Sequence, residues 1–262
     1  MSIAKGLILL IFLLMLYIII YLKRENFKQK DFFVKTLSHD FRVATLAQLR
    51  GIEILSHTNG FDSRQCELID EIEHSCRYSL EMISMLMNIY SFEKGKQIVS
   101  YEIFSLNEII NLVIETLKIQ IKDKNIDMFF DMDNLVKVKA DKELTFKLNL
   151  NLLSTAISYA EANSTIILTS KNDNGFWEFK VCYEGKSLTN EECARMFLRQ
   201  THFSTVGHGI KMFFSKKIVE FHGGEIFVKN CSENLNSFTF CIPQKQKKYI
   251  YKTHTMAKLQ PN

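Results

Sequence analysis

Apolar and polar positions are distributed very differently along the three parts of this chain. From Gly6 to Leu22 the run GLILLIFLLMLYIIIYL carries no charge and is bracketed by Lys5 and by Lys23-Arg24. Its length sits at the short end of what spans a bilayer, about 17 to 25 residues, so it predicts a membrane helix whose flanking cations snorkel to the interface. Lys23, Arg24, Glu25 and Asn26 follow it instead of a small-residue cleavage site, which favours an anchor over a signal peptide. Lys23, Arg24, Lys28 and Lys30 outnumber the cations before the run, which places the C-terminal part in the cytoplasm. With so few residues ahead of the span, no extracellular sensor domain is expected.

The next part has helical periodicity. From Phe27 to about His57, the residues Phe33, Leu37, Phe41, Ala44, Ala47, Ile52 and Leu55 recur roughly at helical spacing. Thr58-Asn59-Gly60-Phe61-Asp62 is turn chemistry, with Ser63 as the N-cap of a second helix. That helix places Leu68, Ile72, Cys76, Ser79, Ile83, Leu86 and Tyr90 on one face. Neither stripe can be buried within one hairpin, and pairing with a second copy into a four-helix bundle is the simplest solution.

The third part, Tyr101 to Pro243, mixes periods. Tyr101–Phe104, Thr165–Ser170, Phe176–Tyr183, Glu225–Lys229 and Phe238–Ile242 read as strands, and Leu106–Lys118, Leu144–Tyr159 and Phe213–Phe221 as helices. Helices on one face of a mixed sheet make an α+β sandwich.

Composition narrows the function classes. The 262 residues carry a net charge of only +4 and no basic stripe interleaved with aromatics, which argues against nucleic acid as a partner. The six cysteines form no C-x-x-C pair and no His-Cys ligand spacing. They read as buried or semi-buried residues of a reducing compartment, with no structural metal. His57, His74, His202, His208 and His254 read as turn, helix-surface or loop residues, His222 of His222-Gly223-Gly224 as a helix stop, and Trp177 as core.

The candidate chemistry lies in Ser38-His39-Asp40-Phe41-Arg42. A phosphorylatable histidine needs an exposed imidazole, an adjacent acid to orient it and take a proton, and a rigid element to present both. His39, Asp40 and the predicted helix supply these, which makes His39 and Asp40 the candidate catalytic pair. FVKTLSHDFR resembles the H-box of the membrane sensor histidine kinases of two-component systems, usually S-H-[ED]-L-R-T-P-L. Val43 stands where that family has the Thr or Asn that positions water for dephosphorylating a response regulator, and Ala44 where it has Pro. Either that dephosphorylation is weak in this chain, or another polar residue such as Gln48 or Thr45 holds the water.

The resemblance continues into the family's ATP-binding domain. Phe104-Ser105-Leu106 matches its F-x-L entry, and Asp141 with Asn151-Leu152-Leu153 matches D-x-x-x-L…N-L-L. Asn151 to Ala156 matches the N-box, Val181 to Leu188 the V-x-D-x-G-x-G-I box, and Gly207-His208-Gly209-Ile210-Lys211-Met212 the G-T-G-L-G-L loop. The resemblance implies ATP and Mg²⁺ as cofactors, with Asn151, Gly185, Gly207 and Gly209 as nucleotide-binding residues and Asn151 as a metal ligand. Four departures count against their use here: Thr155 replaces a magnesium-binding Asn, Tyr183 the adenine-reading Asp, and Ser187 and Lys211 replace glycines.

The expected architecture is an all-α membrane anchor with a short linker (1–26) and a helical hairpin forming a dimeric four-helix bundle (27–95). An α+β sandwich of the histidine-kinase ATPase (Bergerat) type (100–243) and a basic tail (244–262) follow. The expected protein is a single-pass protein of the bacterial inner membrane that pairs with a second copy and a cognate response regulator. It controls that regulator's phosphorylation, chiefly as a phosphatase or phosphotransfer protein. The alternatives are an active autophosphorylating kinase and a non-catalytic scaffold.

Overall fold

The computed structural model describes residues 15, 17, 32–58, 60–95, 99–132, 137–173, 175–198 and 208–244. The chain divides into two units, Met1–Met87 and Asn88–Asn262. In the first, a helix over residues 32–56 (α1) turns into α2, Ser63–Glu93, whose last residues belong to the second. The turn closes by a reciprocal cap. Asp62 Oδ1 accepts from the Gln65 amide at 2.8 Å while Gln65 Oε1 accepts from the Asp62 amide at 2.9 Å, so Asp62 and not Ser63 is the capping residue. Arg77 of α2 donates to Glu53 of α1 at 2.9 Å, which fixes the two helices as an antiparallel hairpin.

Leu49, Ile69, Cys76 and Met85 are buried in this unit, whereas Phe33, Leu37, Phe41, Leu46, Leu55, Leu68, Ile72 and Leu86 stay exposed. A single hairpin therefore buries only part of its apolar surface, as the stripes predict.

The membrane anchor is not supported. Among the described residues no helix is long and apolar enough to cross a membrane, so a single-pass membrane placement is withdrawn. α2, the longest fully bounded helix at 31 residues, carries Glu67, Asp70, Glu71, Glu73, Arg77 and Glu81 and is no such span. Of the run Gly6–Leu22, only Met15 and Tyr17 are among the described residues.

The second unit is built on a five-stranded mixed sheet of order β2-β4-β5-β7-β6 and a two-stranded ribbon β1-β3. The elements are β1 (Tyr101–Ser105), α3 (Leu106–Asp123), β2 (Asp127–Met132), β3 (Lys137–Asp141) and α4 (Lys142–Tyr159). They continue with β4 (Thr165–Asp173), β5 (Phe176–Glu184), α5 (Asn190–Arg195), α6 (His208–Phe221), β6 (Glu225–Ser232) and β7 (Leu235–Pro243). β2 and β4 are parallel; the other pairs are antiparallel.

Register explains the core. Trp177 faces Ile242, Phe179 faces Phe240 and Val181 faces Phe238 across β5 and β7, all on the side that α4 and α6 cover. Each of these side chains is 3 % exposed or less. Burying one such side chain contributes about 1.5–3 kcal/mol, so these facing pairs hold the sheet to the helices. Leu106, Ile109, Ile110 and Val113 of α3 and Leu148 and Leu152 of α4 complete the layer. The expected α+β sandwich is present; β2, β3 and α5 are elements the sequence reading did not find.

Of the six cysteines, Cys66 and Cys231 are exposed and not buried or semi-buried as expected. Among the described residues no group of three or more His, Cys, Asp and Glu is placed to hold a metal ion.

Candidate functional site

His39 and Asp40 lie near the start of α1 with side chains 74 % and 67 % exposed, and His39 Nδ1 is 3.2 Å from Asp40 Oδ1. A carboxylate accepts only, so the proton of a neutral His39 sits on Nδ1 and the lone pair of Nε2 is left for chemistry at the surface. The helix turns about 100° per residue, which puts Val43 and Leu46 on the His39 face and Gln48 about 180° away. Val43 is 53 % exposed and offers no hydrogen-bonding group. Thr45 Oγ1 donates to Phe41 O at 2.8 Å, leaving its hydroxyl proton committed to the helix backbone.

In the second unit, α4 carries the buried Asn151, 2 % exposed. Its Nδ2 reaches Ser215 Oγ at 3.3 Å and Lys211 O at 3.4 Å, both on α6. Thr155, fully buried one turn later, donates its hydroxyl to Asn151 O at 2.7 Å. Gly185 is buried in the loop after β5, where an added Cβ would stand 2.4 Å from Tyr159 O. Gly209 lies in the first turn of α6, and Gly207 lies outside the described residues. The structure thus brings Asn151 and Lys211 together through α4 and α6, and brings Gly185 against the end of α4.

Tyr183 is fully buried, its ring stacked on Phe238 with centroids 5.4 Å apart and planes at 27°. Among the described residues its hydroxyl has no hydrogen-bond partner. Burial, the neighbouring Tyr159 and Cys193 together push that phenol far above its usual range.

Several positional roles escaped sequence reasoning. Asp141 caps α4 by accepting from Leu144 N at 3.0 Å and also accepts from Ser100 N at 3.0 Å. His222 is a buried strut as well as the residue before the stop. Its Nδ1 donates to Ile218 O at 2.8 Å and its Nε2 accepts from Asp141 N at 3.1 Å. The stop itself is Gly223, at φ +73°, followed by Gly224 N donating to Val219 O at 2.9 Å. Asn236, fully buried, donates to Gly185 O and Lys186 O and accepts from Leu188 N. The one signal available was a polar residue at an inward position of a strand.

Comparison with known proteins agrees with this geometry. Residues 140–246 match the family of histidine kinase-, DNA gyrase B- and HSP90-like ATPases. The circadian input-output histidine kinase CikA of Synechococcus elongatus is 26 % identical over 227 residues, 82 % of this chain and 30 % of that protein. The adaptive-response sensory kinase SasA of Synechococcus sp. strain CC9902 is 35 % identical over 127 residues, 46 % of this chain and 33 % of that protein. The chain thus spans about a third of the length of these relatives. Among solved structures, the catalytic domain of histidine kinase ThkA superposes with a TM-score of 0.52 at 29 % identity, covering 55 % of this chain and 96 % of that one. Full-length ShkA in complex with AMPPNP gives 0.69 at 19 % identity, covering 84 % and 47 %, a likeness of fold. The chain is therefore histidine-kinase-like, with residues 140–246 similar to the histidine kinase-, DNA gyrase B- and HSP90-like ATPases.

Proposed function

We propose that this chain is a two-component signalling protein in which His39 exchanges a phosphoryl group with the phosphorylated aspartate of a response regulator, without spending ATP of its own. The observation that carries the reading is the His39–Asp40 pair, exposed and joined at 3.2 Å on a helix. Nε2 would attack phosphorus as the P–O bond to the aspartate breaks. The electron pair leaves with the regulator's carboxylate, while Asp40 holds the Nδ1 proton and stabilises the positive charge of the ring. Relatives named as sensory and input-output kinases support the signalling class, and the exposed apolar positions of the hairpin favour a homodimer.

One observation argues against ATP being held as the resemblance implies. Tyr183 supplies no carboxylate and lies inside the core, whereas Asn151 and Thr155 are engaged only through Nδ2 and a hydroxyl proton, which leaves their oxygen lone pairs uncommitted. In this reading the residues do not fit the nucleotide, and no step is routed through it. Val43, with Gln48 turned away, also favours transfer to His39 over hydrolysis by a positioned water.

The test is direct. Receiver domains labelled with radioactive acetyl phosphate are mixed with the full chain, and acid-labile, base-stable label is sought on it. Label at His39, lost in His39→Gln, is the expected result, and Val43→Thr should speed the loss of phosphate to water by about tenfold. Labelling of the chain by ATP and Mg²⁺ alone would instead establish an autophosphorylating kinase.

A further inference from the structure

We propose that Tyr183 is a plug in the base site of this domain, so that the fold closes on its own phenol ring and not on a purine. This rests on the reading above that the chain does not spend its own ATP, and deepens it by naming what fills the site. In the family resemblance, position 183 is where a carboxylate reads adenine. Here it holds a flat aromatic ring on the helix-covered face of the sheet, flanked in register by Ile166 of β4 and Asn236 of β7.

A tyrosine placed in a core for its hydroxyl finds a partner for it. This hydroxyl has none among the described residues, although the side chain is fully buried. What the position retains is the ring: it stacks on Phe238 at 5.4 Å. That is the offset, face-to-face geometry an aromatic base would also use.

A second, independent observation concerns the loop beside the ring. Asn236 Nδ2 donates to Lys186 O at 3.0 Å and Gly185 O at 3.4 Å, and its Oδ1 accepts from Leu188 N at 3.2 Å. Gly185 N donates to Asn234 O at 2.8 Å, and Asn234 N to Ser187 Oγ at 3.0 Å. Residues 185 to 188 are thus pinned to β7 and to the turn that precedes it. Ser187, which takes the place of a glycine, is itself one of the pins.

The experiment measures binding and thermal stability of the full chain, with ADP and adenosine as probes. Wild type is expected to give no calorimetric heat and no shift in Tm with ADP, with or without Mg²⁺. Tyr183→Ala should melt lower and be raised again by adenosine but not by uridine, because a ligand that fills the vacated space binds only the folded state. Tyr183→Phe, which keeps the ring and removes the stranded hydroxyl, should melt at or above the wild-type temperature. Wild-type binding of ADP with Kd below about 1 mM would overturn the plug, as would a folded Tyr183→Ala that ignores adenosine. Should Tyr183→Ala fail to fold, wild-type calorimetry and Tyr183→Phe decide. Transfer from a phosphorylated receiver domain to His39 is assayed without nucleotide, so its failure would count against the proposed function and leave the plug standing.

Discussion

Replacing His222 tests whether one buried imidazole joins the end of α6 to the start of α4. The side chain is 1 % exposed, donates from Nδ1 to Ile218 O, accepts at Nε2 from Asp141 N, and meets the Tyr101 ring edge-on at 5.7 Å. In His222→Leu the Asp141 amide loses its acceptor inside the core, a cost of about 1–3 kcal/mol, and a second hydrogen bond worth about 1 kcal/mol goes with it. The expected loss is about 2–4 kcal/mol at pH 7.5. Burial pushes the imidazole below its usual pKa, partly opposed by the Ile218 carbonyl and the charge of Asp141. The sign follows from proton counting: above about pH 6.5 both folded and unfolded His222 are neutral and the strut is at full strength. Below that, the unfolded chain binds a proton the folded one refuses, and stability falls by up to about 1.4 kcal/mol per pH unit until the lowered folded pKa is reached. The single Trp177 is 3 % exposed within the same unit, so urea unfolding followed by its fluorescence reports on that unit. Wild type should weaken between pH 7.5 and 5.5 more steeply than His222→Leu. Equal slopes, or a variant within about 0.5 kcal/mol of wild type at pH 7.5, would refute the reasoning.

Lys124 Nζ donates to Ile157 O, Ser158 O and Ala160 O at 2.9, 2.8 and 2.9 Å, closing the carbonyl end of α4. Lys124→Met should cost about 1–3 kcal/mol in the same fluorescence assay. Asp62→Ala removes the hairpin cap and should lower helix stability by about 1 kcal/mol, read as a lower circular-dichroism melting midpoint. Cys241, whose thiol is pushed up to about 11 by burial and by Glu178, should react with Ellman's reagent at pH 8 far more slowly than exposed Cys66. Glu178→Gln should speed it.

How much could be read from the sequence depended on how locally each feature is encoded. The helices α3, α4 and α6 and the strands β4, β5, β6 and β7 were legible because apolar periodicity marks them, although their ends ran further than expected. α3, for example, continues to Asp123 and not Lys118. β2 and β3 were missed for a physical reason. Asp127–Met132 is an edge strand with Phe129 and Phe130 both exposed, so no alternation announces it. Lys137–Asp141 exists by pairing with Tyr101–Ser105, far away in sequence. α5 is six residues fixed by a capping box, Thr189 with Glu192, and buries no side chain. At the candidate site, the exposure of His39 and its contact with Asp40 were legible from adjacency on a helix. The His222–Asp141 and Asn236–loop contacts join residues 81 and about 50 positions apart, and no local pattern encodes them.

Motif positions that survive in this chain have structural duties that do not need a nucleotide. Asp141 is retained by its two accepted hydrogen bonds, which cap α4 and hold the chain before β1. Gly185 has no room for a side chain, because a Cβ would stand 2.4 Å from a backbone oxygen. Asn151 joins α4 to α6. By contrast Tyr183, Thr155 and Ser187, where the motifs are broken, each hold a side chain that adds a packing or hydrogen-bond contact to the fold. A binding site is ordinarily a place where stability is given up to keep polar groups open to a ligand. At these three positions the substituted side chains add contacts to the fold. The motif matches therefore testify to the fold of the second unit, and what this chain does is argued from the exposed pair at His39 and Asp40.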